Sequence, residues 1–313
     1  MPATSANLGC AFDCGGLALK LYLKTSYTPS RSSDSLTLEY HGRAPDRIPL
    51  DDSNLVLSSF RYACAHLGRA VPEGHIQVES DIPVGVGLGS SAAAVIAGLV
   101  LGVRCCGADV PAGELLRWAE EIEGHVDNAA AAYHGGLVLA LCNNIDQVVT
   151  LKTTFPDHIK LVVVTPSVTV PTHEARRVLP KAYERADVLH TLQRTALLAA
   201  TCFSGKFELF PELFDDRLHQ PYRQQLAPGI AESLRFRHEG LLGIAISGSG
   251  SSVIAMTVAN ESQIAECLQK IFALKEVQTE ALITSADNRG SVVTCIGKAA
   301  NAIGETNAVG EKR

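Results

Sequence analysis

The chain has 313 residues, 46% of them apolar and 19% charged, with 27 Lys and Arg against 33 Asp and Glu for a net charge of −6. An apolar content near half with so little charge excludes an extended disordered chain, and 26 Gly and 14 Pro are too few for a collagen-like one. No Lys/Arg run exists, which disfavours a general nucleic-acid partner, and the longest apolar run, 92–103, is shorter than the roughly 20 residues of a membrane-spanning helix.

At about 150 residues per domain the length suggests two domains. No basic residue precedes Lys20, so no secretory or transit peptide is expected. The nine cysteines are an odd number without CxxC spacing and read as reduced thiols in a cytoplasmic protein, most of them small apolar filler.

In chain order the pattern predicts a strand at 36–40, a helix at 54–67, a strand at 75–80 and helices at 91–103 and 112–123. Strands at 136–142 and 160–165 follow, then helices at 173–186 and 188–202, strands at 243–246 and 253–257, and a helix at 261–274. Helix 112–123 carries Leu115, Leu116, Ala119 and Ile122 on one stripe. Segments 25–35 and 43–52 read as turns, and the stretch 305–313 has too little apolar content to pack. Strands and helices alternate without the strict rhythm of a doubly wound sheet, which favours an α+β fold. A boundary near residue 150 would divide the chain into halves of similar size.

Asp81-Ile-Pro-Val-Gly-Val-Gly-Leu-Gly-Ser90-Ser91-Ala-Ala-Ala is the most informative segment. Gly85, Gly87 and Gly89 remove side chains from a loop after a strand, and Ser90 and Ser91 open an alanine-rich helix. Unsatisfied N–H groups at a helix start, with the macrodipole behind them, form a phosphate site. No Gly-Lys-Ser/Thr follows, so this is not a Walker A loop, and it is not GxGxxG either. A tight turn with a serine cap is the plainer reading, but three alternating glycines exceed what a cap needs. A second Gly/Ser segment, 247–252, sits between the strands at 243–246 and 253–257, where a flexible hairpin is an equal alternative.

Three segments together resemble homoserine kinases of the galacto-, homoserine, mevalonate and phosphomevalonate kinase superfamily. They are Met1-Pro-Ala-Thr-Ser-Ala-Asn-Leu-Gly9 with Phe12-Asp13, Pro83-Val-Gly-Val-Gly-Leu-Gly-Ser-Ser-Ala92, and Glu123-Gly-His-Val-Asp-Asn128 with Gly135-Gly136. Thr172-His-Glu-Ala-Arg176-Arg-Val-Leu-Pro180 and Ile244-Ala-Ile-Ser-Gly-Ser-Gly-Ser-Ser252 are similar to two later family motifs. The chain departs from the family pattern at Cys10-Ala11, where Pro-Gly is usual, at Val126, where Pro is commoner, and at Ser251 or Ser252, where Gly-Pro is usual.

The resemblance implies a two-domain α+β small-molecule kinase fold with the active site between the domains. Residues 1–150 would form the ATP-binding domain, and 151–313 an α+β domain supplying substrate-binding arginines and a glycine-rich loop. The implied reaction is transfer of the γ-phosphoryl of ATP to the hydroxyl of homoserine, in threonine biosynthesis. ATP would lie on Pro83, Gly85, Gly87, Leu88, Gly89, Ser90, Ser91, Ala92, Gly248 and Gly250. Mg²⁺ would take Ser91 or Ser90 and a helix glutamate; Glu120 and Glu123 share a face and either fits. Arg176 and Arg223 match the family's carboxylate clamp, since a guanidinium fork matches a carboxylate. Asp13 would take the ammonium with Asn7 beside it, and His125 and Asp127 would line the pocket. Asn128 and Thr172 would position the reacting groups; His125 and Asp127 are the candidate bases, and the choice of base is left open. Two alternatives stay open: a superfamily kinase for another small hydroxy acid or alcohol, and a nucleotide-binding regulator without turnover. A small molecule is the expected partner, with no nucleic acid or membrane, and a homodimer is the assembly to test.

Overall fold

The computed structural model describes residues 1–30, 36–143 and 147–295. The predicted loose tail at 305–313 and the end of the 25–35 segment lie outside these residues. One sheet uses β1 (Pro2–Asn7), β2 (Ala11–Pro29), β3 (Thr37–Gly42), β4 (Gly74–Ser80), β5 (Leu137–Cys142) and β6 (Val148–Thr153), in the order β3-β4-β2-β5-β6 with β1 on β2. Only β3 and β4 run parallel. The other sheet has β7 (Lys160–Pro166), β8 (Leu241–Ile246), β9 (Val253–Thr257) and β10 (Thr279–Thr284), antiparallel in the order β10-β7-β9-β8.

The helices are α1 (Leu55–His66), α2 (Ser90–Cys105), α3 (Ala112–Glu123), α4 (Asp127–His134), α5 (Thr172–Arg177), α6 (Arg185–Ser204), α7 (Gln220–Arg223), α8 (Ile230–Leu234) and α9 (Glu261–Ala273). One apolar cluster runs from Ala3 and Leu17 on the first sheet to Leu161 and Met256 on the second, so the two sheets share a core. The Ala18 carbonyl and Lys20 N–H also bond the chain after β10, at Asp287 (2.9 Å) and Ser285 (3.0 Å).

The predicted elements fall close to these bounds, with three corrections. The segment 25–35 is not a turn as far as it is described: β2 continues to Pro29, pairing Thr25 with Val78 and Thr28 with His75. The predicted helix 173–186 ends at Arg177. Pro180 lacks an N–H and disfavours helical backbone at Leu179, so a new helix starts only at Arg185, three residues earlier than the predicted 188. β1, most of β2, β6, β10, α4, α7 and α8 have no predicted counterpart; the fully buried β1 escapes because Thr4 and Ser5 give it no apolar alternation.

Asn54 starts α1 by accepting from the N–H groups of Val56 (2.9 Å) and Leu57 (3.3 Å). α1 then packs on α2 across Gly98 and Gly102. A Cβ on Gly98 would stand 2.3 Å from the Val56 carbonyl oxygen and 2.8 Å from Ser59 Cβ, so the helices touch backbone to backbone there. Because α2 begins at the glycine loop, this contact also fixes the loop's direction. Gly98→Val is therefore expected to lose about 3 kcal/mol or more in denaturant unfolding. An unchanged midpoint would show that the helices can separate freely.

Candidate active site

The glycine loop leads into α2 with Gly85, Gly87 and Gly89 all at left-handed φ (75°, 82° and 65°). Two of them are also demanded by packing. A Cβ on Gly87 would lie 2.0 Å from the Ser247 carbonyl oxygen, and one on Gly89 would lie 1.9 Å from Thr4 Oγ1. The α2 cap is Gly89, not a serine, and no side chain caps the helix. Its first-turn N–H groups therefore keep their polarity for a ligand, as a phosphate site requires.

The 247–252 segment is the hairpin loop between the antiparallel strands β8 and β9, and hydrogen bonds tie it to the rest of the site. Ser247 Oγ donates to the Gly87 carbonyl (2.7 Å) and lies 2.8 Å from Ser5 Oγ, and Ser252 N–H donates to the Val86 carbonyl (3.0 Å). Gly248 N–H donates to the Ala6 carbonyl (3.0 Å). The Gly248 carbonyl in turn accepts from Asn7 Nδ2 (2.8 Å) and Arg223 Nη1 (3.1 Å). Asn7 Oδ1 accepts the Asp13 N–H at 3.0 Å, which closes the turn between β1 and β2. Asn7, Leu8 and Asp13 sit at positive φ (71°, 40° and 53°), a strain of order 1–3 kcal/mol each that surrounding contacts must hold. Ala11, where the family usually has glycine, already lies in the extended backbone of β2 and needs no special residue.

Asp13 and Arg176 form a two-pronged ion pair, Nη1–Oδ2 at 3.1 Å and Nη2–Oδ1 at 3.0 Å, with each side chain 39% exposed. Arg223 is buried. Its Nε donates to the Ala175 carbonyl (3.2 Å), and its guanidinium lies over the Phe12 ring at 5.1 Å. Burial draws its pKa below the usual value, opposed by the nearby Asp13.

On the far wall, His125 Nδ1 lies 3.1 Å from Asp127 Oδ1, which also accepts the Asn128 N–H at 2.8 Å. Asp127 holds the His125 pKa above its ordinary value against the opposing effect of burial. Thr4 Oγ1 donates to Asn128 Oδ1 at 2.8 Å, and Asn128 Nδ2 makes a long 3.5 Å contact to Asp127 Oδ1. Ser91 Oγ donates to Glu123 Oε2 at 2.9 Å. Burial raises the Glu123 pKa, and the Ser91 hydroxyl offsets part of that rise.

These groups line one cavity of about 230 Å³, which brings together Asn7, Asp13, Gly85, Gly87, Leu88, Gly89, Ser90, Ser91, Ala92, Glu123, His125, Asp127, Asn128, Thr172, Arg176, Arg223 and Gly248. Val84 and Ser249 line it too, and sequence reasoning had not singled them out. Pro83, Glu120 and Gly250 do not line it: Pro83 precedes the loop's inward turn, Glu120 lies nearly one helical turn before Glu123, and Gly250 N–H points back to the Ser247 carbonyl at 2.8 Å. A larger open depression of about 760 Å³ between α9 and β10 contains none of the predicted residues.

The loop geometry generates a comparison of two mutants. Gly85→Ala meets chiefly the flexible Arg47 side chain, 3.2 Å from the new Cβ, whereas Gly87→Ala meets the Ser247 backbone. Both carry the left-handed penalty of about 1–2 kcal/mol. Gly87→Ala is expected to lower stability further and to weaken nucleotide binding, while Gly85→Ala loses little beyond the backbone term. Equal unfolding midpoints for the two would contradict the contact.

The GHMP kinases N terminal domain model matches residues 54–136 of the chain. A homoserine kinase of Solibacter usitatus is 35% identical over 294 residues, covering 94% of this chain and 96% of the relative. One of Deinococcus radiodurans is 38% identical over 256 residues, 81% of each chain. Among solved structures, a homoserine kinase from Cytophaga hutchinsonii aligns with a TM-score of 0.80 at 26% identity over 92% of this chain and 94% of its own. A mevalonate kinase structure shares the fold, with a TM-score of 0.67 at 15% identity over 92% of this chain and 98% of its own. Similarity of this depth over nearly the full length of its relatives places the chain in the homoserine kinase family.

Proposed function

We propose that this protein transfers the γ-phosphoryl group of ATP to the side-chain hydroxyl of homoserine, a step of threonine biosynthesis. The observation that carries the reading is the juxtaposition in one cavity of a helix N-terminus free of side-chain caps with Asp13, Arg176 and Arg223. The relatives named homoserine kinase, at 33–38% identity, support the same substrate over a mevalonate-type alcohol or an inactive regulator.

In this reading the triphosphate lies along Gly85–Ser91, whose backbone N–H groups meet its oxygens, with Gly248 lining the same cavity. Asp13 and Arg176 hold each other until the amino acid enters. Its carboxylate then takes the fork of Arg176 and the Nη2 group of Arg223, whose Nε and Nη1 stay on backbone carbonyls, and its ammonium takes Asp13. The acceptor hydroxyl meets the amide of Asn128, with Thr172 as a further positioning group lining the same cavity. Its oxygen bonds to the γ-phosphorus as the bond to the β–γ bridging oxygen breaks and ADP leaves with that electron pair. Phosphoryl transfer passes through a loose transition state, so the hydroxyl can lose its proton late, to solvent. Asp127 and His125 engage each other and the Asn128 N–H, and we assign neither as a base.

Ser91 and Glu123 suit Mg²⁺: they are hard oxygen donors, and Glu123 has no ion-pair partner among the described residues. Bound there, Mg²⁺ would supply charge neutralisation at the β- and γ-phosphates. We assign the metal to Glu123 rather than Glu120, which does not line the cavity. We also propose that 1–150 and 151–313 act as the two domains, that the enzyme is a cytoplasmic homodimer, and that it needs no nucleic-acid or membrane partner. The odd, scattered cysteines fit a reducing compartment.

The test is phosphate transfer from ATP to homoserine, serine, threonine, shikimate and mevalonate, with product identified by phosphorus NMR. Homoserine should be the preferred acceptor; preference for mevalonate or shikimate would overturn the assignment, and ATP binding without product from any acceptor would favour a regulator. Glu123→Gln should lose turnover that excess Mg²⁺ partly restores, while Glu120→Gln should stay near wild type.

A further inference from the structure

His219 lies outside the cavity lining, fully buried behind it, and joins two of its walls. Its Nε2 lies 2.7 Å from the Gly9 carbonyl oxygen, in the turn between Asn7 and Asp13. Its Nδ1 faces Arg223 Nη1 at 3.5 Å. The imidazole stacks on Phe12 at 5.1 Å and 21°, and the Arg223 guanidinium lies over that same ring. Asp216 anchors the segment, its Oδ2 accepting the N–H groups of His219 and Gln220 (2.8 Å each) and its Oδ1 the Leu218 N–H (3.0 Å).

The chemistry of the two contacts fixes the tautomer. The Gly9 carbonyl can only accept, so Nε2 must carry a hydrogen. Arg223 can only donate, so Nδ1 must be bare. The ring that satisfies both is neutral with hydrogen on Nε2. Three charged groups face it: Asp216, whose Oδ2 is 3.6 Å from Nε2, Arg223 and Asp13. The two carboxylates favour a cation, but burial and Arg223 outweigh them and hold the pKa below the ordinary value.

We infer that His219 is a positioning residue that sets the spacing between the Asp13 turn and Arg223, and thereby tunes acceptor recognition without touching the acceptor. This rests on the reading that Asp13 and Arg223 hold the two ends of the amino acid. The glycine loop makes no contact with this imidazole, so nucleotide binding should be insensitive to it.

The experiment compares His219→Leu, which removes both contacts, with His219→Gln, whose amide can still donate to Gly9. Losing these hydrogen bonds should raise KM for homoserine about tenfold in His219→Leu, with KM for ATP nearly unchanged, and His219→Gln should recover about half of that on a logarithmic scale. Equal rises in both KM values, or no change in a folded His219→Leu, would overturn the inference. If His219→Leu does not fold, His219→Gln alone should still show an acceptor-specific rise, and its absence counts against the inference. Nitrogen NMR of the wild-type imidazole gives a readout independent of turnover. The ring should stay neutral with hydrogen on Nε2 between about pH 5 and 8; an imidazolium at neutral pH or hydrogen on Nδ1 contradicts the link to Arg223. A wild type that phosphorylates no amino acid would defeat the functional reading, while the NMR result would still decide the role of His219.

Discussion

The carbonyl oxygen of Gly248 accepts from the Asn7 side-chain amide and from the Arg223 guanidinium, and both halves of the site are positioned through that atom. A carbonyl has two lone pairs, and both are used here. Asn7 passes the constraint to Asp13 through its other end, and Arg223 passes it to Ala175, one residue from Arg176. Across the same short segment Gly87 meets the Ser247 carbonyl so closely that no Cβ fits. The loop suited to phosphate and the charges suited to an amino acid are thus held in register by residues 247–250. Positive φ at Asn7, Leu8 and Asp13 persists because these contacts over-determine the turn.

The two arginines of the cavity sit in different electrostatic settings. Arg223 is buried, and backbone carbonyls fix its direction, so it is a permanent feature of the wall. Arg176 is half exposed and, among the described residues, paired with Asp13 alone; a pair so open to water contributes little to stability and can exchange partners at small cost. A zwitterion satisfies both members of that pair at once. A ligand with only one charge leaves the other member without its partner, which selects against it.

Much of this was legible before any coordinates. The alternation Gly85, Gly87, Gly89 followed by Ser90 and Ser91 announced a glycine loop opening into a helix, and the apolar stripe of 112–123 placed α3 at its observed bounds. Other parts were not legible for physical reasons. β1 is built from small residues whose hydroxyls bond within the site, and β propensity does not register them. The break between α5 and α6 follows from Pro180, a local signal inside the predicted 173–186 helix. The choice of Glu123 over Glu120 needed the actual helix phase against Ser91, because residues three apart share a face. His219 gave no local sign, since its partners Gly9 and Phe12 are about two hundred residues away in the chain.

The central claim is that Asp13, Arg176 and Arg223 form a receptor for both charges of one amino acid. Its most direct test compares kcat/KM for homoserine with that for the amino alcohol lacking its carboxylate, in wild type and in Arg176→Lys. Each charge-assisted contact is worth roughly 1.5–3 kcal/mol, so wild type should favour homoserine by at least about one to two decades. Arg176→Lys keeps the charge but loses the fork, and should narrow that preference while leaving ATP affinity nearly intact. Equal use of both acceptors by the wild-type enzyme would contradict the account.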